Sequence, residues 1–340
     1  MIETATPLFF SEFADLLTSP GDLTEVLIEG LAKSGVYVMI AAGLTLIFGL
    51  MDVINFAHGA FTMYGAYIAG ALILAVGASG MGWGMAIVAF LAIMAVVFLL
   101  LTVVGTVLEI SLISKLYDYP PIFQILLTFG VTITMEELMR MIVEFWNIND
   151  GRYQFDWASP QQQTLPSILQ RQEVFGLNFM GLHIIELTLG ALTVVGIWTF
   201  LNKTRYGLFV RAGVLDEEMA QALGINVRQT FTVVFAIGSG IAGAAGAMLM
   251  WDPIWSTSVP LALDVLLPAF VIVIVGGLGS FKGTVVASVI VGMIDAFGTW
   301  AFQTGAIAFT GLDDLMIFTI LVVMLILQPK GLYGVEVDHG

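Results

Sequence analysis

Residues 83–108 read WGMAIVAFLAIMAVVFLLLTVVGTVL, an apolar run that contains no charged side chain. A helix of this length is longer than the hydrocarbon core of a bilayer, which is about 30 Å thick. The chain as a whole is also strongly apolar: 59% of its 340 residues are hydrophobic, 11% are charged and the mean hydropathy is +0.98. A soluble domain of this size cannot bury so much apolar surface, so we expect the protein to be embedded in lipid.

Comparable runs recur along the chain and predict an all-α, polytopic integral membrane protein with eight or nine transmembrane helices. We expect some of these helices to be interrupted, because glycine-rich breaks fall within the first pair of runs and between residues 265 and 303. The predicted spans are 34–50, 60–78, 83–108, 121–143, 182–201, 230–250, 265–281, 284–303 and 314–328.

Basic residues indicate which side of the membrane each loop occupies. The segment 202–229 is basic, whereas 251–264 contains neither Lys nor Arg, so we expect the first to be cytoplasmic and the second external. If nine spans form, three lysines in other loops also fall on the cytoplasmic side. The residues concerned are Lys203, Arg205, Arg211 and Arg228 in the basic segment, and Lys115, Lys282 and Lys330 elsewhere.

This topology divides the chain into three parts. Residues 1–30 form an exposed acidic segment without the basic start of a secretory signal, 31–334 form one transmembrane domain, and 335–340 form a C-terminal tail. The domain includes an external loop at 147–181, which is expected to be irregular with at most a short helix. This loop could dock an external partner or serve only as a solvated linker.

The net charge of −15 has two explanations. An acidic, lysine-poor surface suits a high-salt habitat. Alternatively, acids accumulate outside the spans because the positive-inside rule does not constrain them.

Several kinds of chemistry are excluded by missing residues. There are no cysteines, which rules out disulfides, iron–sulfur clusters and thiol nucleophiles. There is no Gly-Lys pair and no H-E-x-x-H motif, and the histidines His58, His183 and His339 are too far apart in sequence to suggest a metal site. We therefore do not expect the chain to be an enzyme, to hold a cofactor or to bind nucleic acid. Uphill transport would then draw on an ion gradient or a separate ATPase.

The basic segment contains a predicted two-turn amphipathic helix. Asp216 is suited to cap its start, acidic residues occupy its first turn, and Gly224 can adopt the left-handed conformation that ends it. Leu223 and Ile225 would offer an apolar knob to a groove in another protein. The alternative is an ordinary cytoplasmic loop whose helix lies on the membrane surface.

Polar residues inside the spans are candidates for a solute pathway. Asn55 and His58 lie where the first apolar run breaks, and transporters place binding sites at such breaks. A gate, a structural cap and direct solute contact all remain open for them. Asp295 lies in the middle of a span, where it could line a pathway, lie at a subunit interface or pair with a neighbour.

Two further patterns concern helix faces. Glu136, Glu137 and Arg140 can meet on one face of the fourth span, which favours an ion pair near the membrane interface. Gly243 and Gly246 each follow a small residue by four positions, which predicts closely packed helices.

Four separated stretches resemble the branched-chain amino acid ABC transporter permease family. They are VINFAHG at 53–59, the segment 211–226 that ends in ALGIN, AIGSGIAGAAG at 236–246, and VGGLGSFKG at 275–283. The resemblance extends from about residue 30 to 334, and its order and spacing are similar to the subunit type that pairs with a second, homologous permease.

The resemblance implies a multi-pass protein of the plasma membrane in an importer with two permeases, two cytoplasmic ATPases and an extracellular solute-binding protein. Such a permease would move branched-chain amino acids inward by alternating access, and urea and short amides are the alternative solutes. A secondary transporter or channel would leave the loop helix without a purpose, and a membrane anchor without a pore predicts no polar residues facing the bundle interior. The implied ATPase-coupling residues are Asp216, Glu217, Glu218, Met219, Ala222, Leu223, Gly224, Ile225 and Asn226.

Overall fold

A computed structural model describes residues 13–51, 53–117, 119–150, 164–174, 177–252, 255, 257–305 and 311–334. The predicted C-terminal tail at 335–340 lies outside these residues, as do residues 1–12 and much of the predicted external loop.

The described chain folds into α-helices joined by short turns, with one two-stranded antiparallel hairpin. The hairpin, β1 (Arg171–Val174) and β2 (Leu177–Met180), lies in a segment for which only loop and helix were predicted. The helices are α1 (Pro20–Met51), α2 (Ala57–Ala75), α3 (Trp83–Ser111), α4 (Pro121–Asp150), α5 (Leu182–Lys203), α6 (Arg205–Leu215), α7 (Glu217–Ala222), α8 (Val227–Leu249), α9 (Leu261–Gly276), α10 (Phe281–Gln303) and α11 (Leu312–Leu327).

Within the described residues, seven helices are long and apolar enough to cross a membrane: α1 to α5, α8 and α10. Two shorter apolar helices, α9 and α11, accompany them. Each of these nine helices overlaps one of the nine predicted spans. The prediction of a polytopic all-α protein is therefore confirmed.

The first helix begins earlier than the sequence indicated. The predicted boundary between an exposed segment and the transmembrane domain falls inside α1, which extends back to Pro20. Val26 on this extension is buried and packs with Leu16. Two of the acidic residues are paired: Glu29 lies 3.2 Å from Lys33 one turn further along α1, and Glu25 lies 3.7 Å from Arg171, whereas Asp15 and Asp22 are exposed.

The two predicted breaks are present, and they meet in space. The first separates α1 from α2, and the second is the turn between α9 and α10. A Cβ atom added to Gly49 at the end of α1 would lie 2.7 Å from the Cα atom of Gly279 in the turn. Gly279 has φ 78°, a left-handed conformation that side chains disfavour. Glycine at both breaks thus allows the backbone at the end of α1 to contact the backbone of the α9–α10 turn.

The centre of the bundle consists of α1, α2 and α8, which are mostly buried, whereas α3, α4 and α5 are mostly exposed. Glycines of α8 contact the backbone of α2: a Cβ atom on Gly246 would overlap the carbonyl oxygen of Thr62, and one on Gly65 would overlap that of Gly243. The predicted close packing through small residues is confirmed at this contact.

The two ends of the bundle differ in charge. One end, which we call the lysine end, carries Lys115, Lys203, Lys282 and Lys330, four of the five lysines in the chain. At this end, Arg228 at the start of α8 donates a hydrogen bond to the carbonyl of Ser114 after α3. The Leu332 amide after α11 donates to the carbonyl of Val275 at the end of α9. The opposite end, the hairpin end, contains β1 and β2.

We predict that Gly246→Ala destabilises the fold, because its methyl group would overlap the α2 backbone. The expected loss is about 1–3 kcal/mol, the usual cost of overpacking, measured by unfolding of the purified chain in detergent micelles. The matched control is Gly196→Ala on α5, where an added Cβ meets nothing within 4 Å. Equal stability of the two variants would contradict the packing argument.

Candidate functional site

The predicted loop helix is present at the lysine end as α7. The Asp216 carboxylate accepts a hydrogen bond from the Met219 amide at 2.8 Å, as the predicted N-cap requires. Gly224 ends the helix with φ 83°, and the Ile225 amide donates to the carbonyl of Ala220 at 3.0 Å. Both ends of this short helix are therefore fixed by capping contacts.

Two large apolar side chains are exposed in α7 and directly after it, and together they form its apolar tip. Leu223 is 75% exposed, and Met219 is exposed beside it. Ile225 is half-buried, so the predicted knob is formed by Leu223 rather than by both residues. Asn226 has a different local role, because its side chain accepts from the Gln229 amide at 3.0 Å and caps α8.

The remaining predicted coupling residues lie on the same short helix. Glu218 and Ala222 are exposed, whereas the side chain of Glu217 lies outside the described part of the chain. The roles of all these residues remain predictions.

A second helix, α6, precedes α7 and was not predicted. Thr204 caps its start by accepting from the Gly207 amide at 3.1 Å. Arg205 and Arg211 of the basic segment belong to α6, and Arg211 donates to the side-chain oxygen of Asn202 at 3.3 Å. The signal that could have revealed α6 is Thr204, a favourable N-cap residue directly after a predicted span.

Polar contacts attach the start of α8, next to α7, to the end of α3. Glu109 accepts hydrogen bonds from the Tyr117 hydroxyl and from the Thr232 hydroxyl, the latter at 2.7 Å. Burial raises the pKa of Tyr117, which keeps its hydroxyl protonated as a donor. Arg228 adds a 2.9 Å hydrogen bond to the carbonyl of Ser114.

Asn55 and His58 are fully buried at the break between α1 and α2. The Asn55 side-chain oxygen accepts from the Ala57 amide at 3.1 Å, and His58 Nε2 donates to the carbonyl of Ile40 at 2.9 Å. In the described structure, Asn55 Nδ2 and His58 Nδ1 have no hydrogen-bond partner. The Asn55 contact holds the turn before α2 and the His58 contact joins α2 to α1, while a role in a pathway or gate remains a prediction.

Asp295 on α10 is buried in an ion pair with α1. Its carboxylate lies 2.5 Å from Lys33 Nζ and accepts a hydrogen bond from the Tyr37 hydroxyl at 2.5 Å. Lys33 also contacts Glu29 at 3.2 Å and the Thr299 hydroxyl at 2.7 Å. Asp295 is therefore paired with a neighbouring helix, and a role for it in a pathway or at a subunit interface remains a prediction. Sequence reasoning did not identify Lys33 as the partner, although a lone lysine within an apolar span is itself a signal.

Of the three charged residues predicted to meet on one face of α4, two form an ion pair. Arg140 Nε lies 3.3 Å from Glu137 Oε1, and the two side chains are 52% and 59% exposed. Glu136 is half-buried, and its Oε1 has no hydrogen-bond partner in the described structure. The ion pair therefore involves only one of the two glutamates.

The chain is similar to known proteins along most of its length. The sequence matches the family described as branched-chain amino acid transport system / permease component over residues 26–325. The chain belongs to this family. The resemblance noted from four motifs is thereby confirmed, and the protein is a multi-pass permease of the plasma membrane with homologues that are permease components of ABC transporters.

Individual relatives agree with the family match. The permease is 24% identical over 315 residues to the high-affinity branched-chain amino acid transport system permease protein BraD of Pseudomonas aeruginosa, covering 91% of this chain and 94% of BraD. It is 27% identical over 323 residues to the probable branched-chain amino acid transport permease protein LivH of Methanocaldococcus jannaschii, covering 93% and 94%. A solved structure described as PsaBC from Streptococcus pneumoniae in complex with Fab has TM-score 0.50, 15% identity and coverage of 95% and 98%, a likeness of fold alone.

The four motifs of the permease coincide with structural constraints. VINFAHG at 53–59 forms the break between α1 and α2, and VGGLGSFKG at 275–283 forms the turn that meets the end of α1. AIGSGIAGAAG at 236–246 is the packed face of α8, and the segment ending in ALGIN at 222–226 closes α7.

We predict that Asp295→Asn destabilises the permease by roughly 3–5 kcal/mol, because it leaves Lys33 in a buried site without its closest counter-charge. The measurement is the free energy of unfolding in detergent micelles. Glu137→Gln, which breaks an exposed pair, is the control and should cost at most about 1 kcal/mol.

The double variant Lys33→Met, Asp295→Asn tests whether the two residues act as a pair. Its cost should be smaller than the sum of the single costs. Additive effects would show that the ion pair does not stabilise the fold as a unit.

Proposed function

We propose that this permease moves branched-chain amino acids into the cell by alternating access, driven by separate ATPase subunits. The proposed complex also contains a second, homologous permease and an extracellular solute-binding protein. Family membership over residues 26–325 supports the assignment, and the relatives are named for branched-chain amino acid transport. The observation that carries the mechanism is the exposed apolar tip of α7.

The tip of α7 has the properties of a contact for another protein. Leu223 is a large apolar side chain with 75% exposure, and it follows a helix capped at both ends. The lysine end faces the cytoplasm by the positive-inside rule, which is the side where an ATPase binds nucleotide. A rigid helix with a single apolar knob suits insertion into a groove.

A route from α7 to the centre of the bundle supports the coupling role. Only a short link separates α7 from α8, and Asn226 in this link caps α8. The packed face of α8 contacts α2 through glycine backbones, so displacement of α8 requires its neighbours to move as well. We infer that force applied at Leu223 reaches the buried helices through α8.

The face of α4 that carries Glu137 and Arg140 is the proposed border of the solute pathway. Both residues lie within the apolar part of α4, Pro121–Phe145, yet both are largely exposed. Charged side chains at membrane depth nearly always face water or a protein neighbour rather than lipid. Asp264 at the start of α9 interacts electrostatically with Glu136, so the polar face extends to a second helix.

We predict that vesicles containing the permease with its ATPase subunits, second permease and binding protein take up L-leucine only with ATP. Leu223→Asp should reduce this uptake about tenfold or more, equivalent to about 1.4 kcal/mol of lost contact. Ser111→Asp, an exposed substitution at the same end of the bundle, is the control and should leave uptake unchanged.

The outcomes separate the candidate functions. Uptake that follows an ion gradient without ATP would indicate a secondary transporter instead. Inhibition of leucine uptake by excess urea or acetamide would shift the assignment to the alternative solutes. Crosslinking of Leu223→Cys to an ATPase subunit gives a direct readout, since the chain has no native cysteine.

A second prediction concerns the pathway face. Cysteines introduced as Thr134→Cys and Glu137→Cys should react at least about tenfold faster with a charged methanethiosulfonate reagent than Leu99→Cys, because thiolates form only where water reaches them. Leu99 is the control because it is exposed on the apolar helix α3. Equal, slow reaction at all three positions would place the α4 face against lipid.

A further inference from the structure

A cavity of about 190 Å³ lies at the hairpin end, between α1, α5, the hairpin and the segment after α8. This volume far exceeds the roughly 10–15 Å³ needed to admit one water molecule. Its charged lining residues are Glu25, Glu29, Lys33, Arg171, Glu186 and Asp252.

Negative charge predominates in this lining. Four carboxylates face two cationic side chains. Lys33 has three donors, and it contacts Asp295 at 2.5 Å, Glu29 at 3.2 Å and Thr299 at 2.7 Å. Arg171 lies 3.7 Å from Glu25, so both cationic groups are paired with carboxylates other than Glu186.

Glu186 is the residue that this arrangement leaves without a partner. Its side chain lines the cavity and is only 2% exposed. Within the described residues it makes no hydrogen bond and no ion pair, although it interacts electrostatically with Lys33, Glu29 and Asp252. A carboxyl group with so little exposure either takes up a proton or needs a positive charge to compensate its ionised form.

Helix packing fixes the backbone at Glu186, and a histidine lies beside it in the cavity lining. A Cβ atom added to Gly35 on α1 would lie 2.5 Å from the Glu186 carbonyl oxygen, so the backbones of α1 and α5 are in direct contact there. One turn before Glu186, His183 also lines the cavity, and its buried Nδ1 has no hydrogen-bond partner in the described structure. A histidine ring and a carboxyl group thus line the same cavity.

We propose that this cavity binds a monovalent cationic group against Glu186, either the ammonium group of an organic solute or an inorganic alkali ion. Carboxylate oxygens suit both, as hard ligands for an ion and as acceptors for N–H donors. A divalent metal is disfavoured, because the described residues contain no group of three or more His, Cys, Asp or Glu that could hold one. The site is distinct from the exposed α4 face, and it does not depend on the proposed transport function.

The test measures thermal unfolding of the full chain, purified in detergent, in NaCl, KCl, ethylammonium chloride and L-leucine. Tetraethylammonium chloride at equal ionic strength is the reference, because its bulky cation has no N–H. We expect at least one cation to raise the Tm of the wild-type chain by about 3 °C at saturation. Stabilisation by NaCl or KCl identifies an alkali site, and stabilisation by ethylammonium or leucine identifies an ammonium site.

Three variants test whether this shift depends on Glu186. Glu186→Gln should abolish the cation-dependent shift, whereas Glu173→Gln should retain it, because Glu173 is exposed on β1 and does not line the cavity. Glu186→Asp keeps the charge and should retain a smaller shift, so the test stands even if the glutamine variant fails to fold.

Two outcomes would overturn the proposal: no cation-specific shift in the wild-type chain, or an equal shift in Glu186→Gln and the wild type. Neither ATP nor an ATPase is present in the assay. A negative result would therefore count against this site and leave the proposed transport function standing.

Discussion

Direct backbone contact between helices is the constraint on which this structure depends. Lipid chains are as apolar as leucine, so helices in a bilayer gain little by burying apolar side chains against one another. They associate by close packing instead: α2 and α8 meet at Gly65, Gly243 and Gly246, and α1 and α8 meet at Gly43 and Gly238. The same device joins α1 to the α9–α10 turn at Gly49 and Gly279. Without these contacts the buried polar groups would have no fixed positions.

Buried charge is the second requirement, and it is met by pairs between distant parts of the sequence. Lys33 and Asp295 are separated by 262 residues and lie 2.5 Å apart. Each would be costly alone, and together they fix α1 against α10 in one register. The exposed pair of Glu137 and Arg140 has no such role, since exposed pairs contribute little to stability. Its presence on a membrane-spanning helix therefore calls for a functional explanation.

Local signals in the sequence predicted much of the fold and only part of the site. The nine spans followed from apolar length, because a backbone in lipid must satisfy its own hydrogen bonds and leaves few alternatives. The caps of α7 followed from Asp216 and Gly224, whose preferences are local. The start of α1 was misplaced because burial of its first turns, such as Val26 against Leu16 and Ala296, depends on tertiary packing. The partner of Asp295 and the cavity beside Glu186 could not be found, since each joins helices that are far apart in sequence.

The distribution of contacts also indicates which helices can move. α1 is fixed to α10 by an ion pair and to the α9–α10 turn by glycine contact, so these elements behave as one unit. α4 packs mainly against α2 and a neighbouring turn, and most of its surface is exposed. A packed core has discrete arrangements and resists gradual deformation. α4 is therefore held by fewer neighbours than α1 or α8, and in the proposed mechanism a change at α8 would reach its charged face through α2.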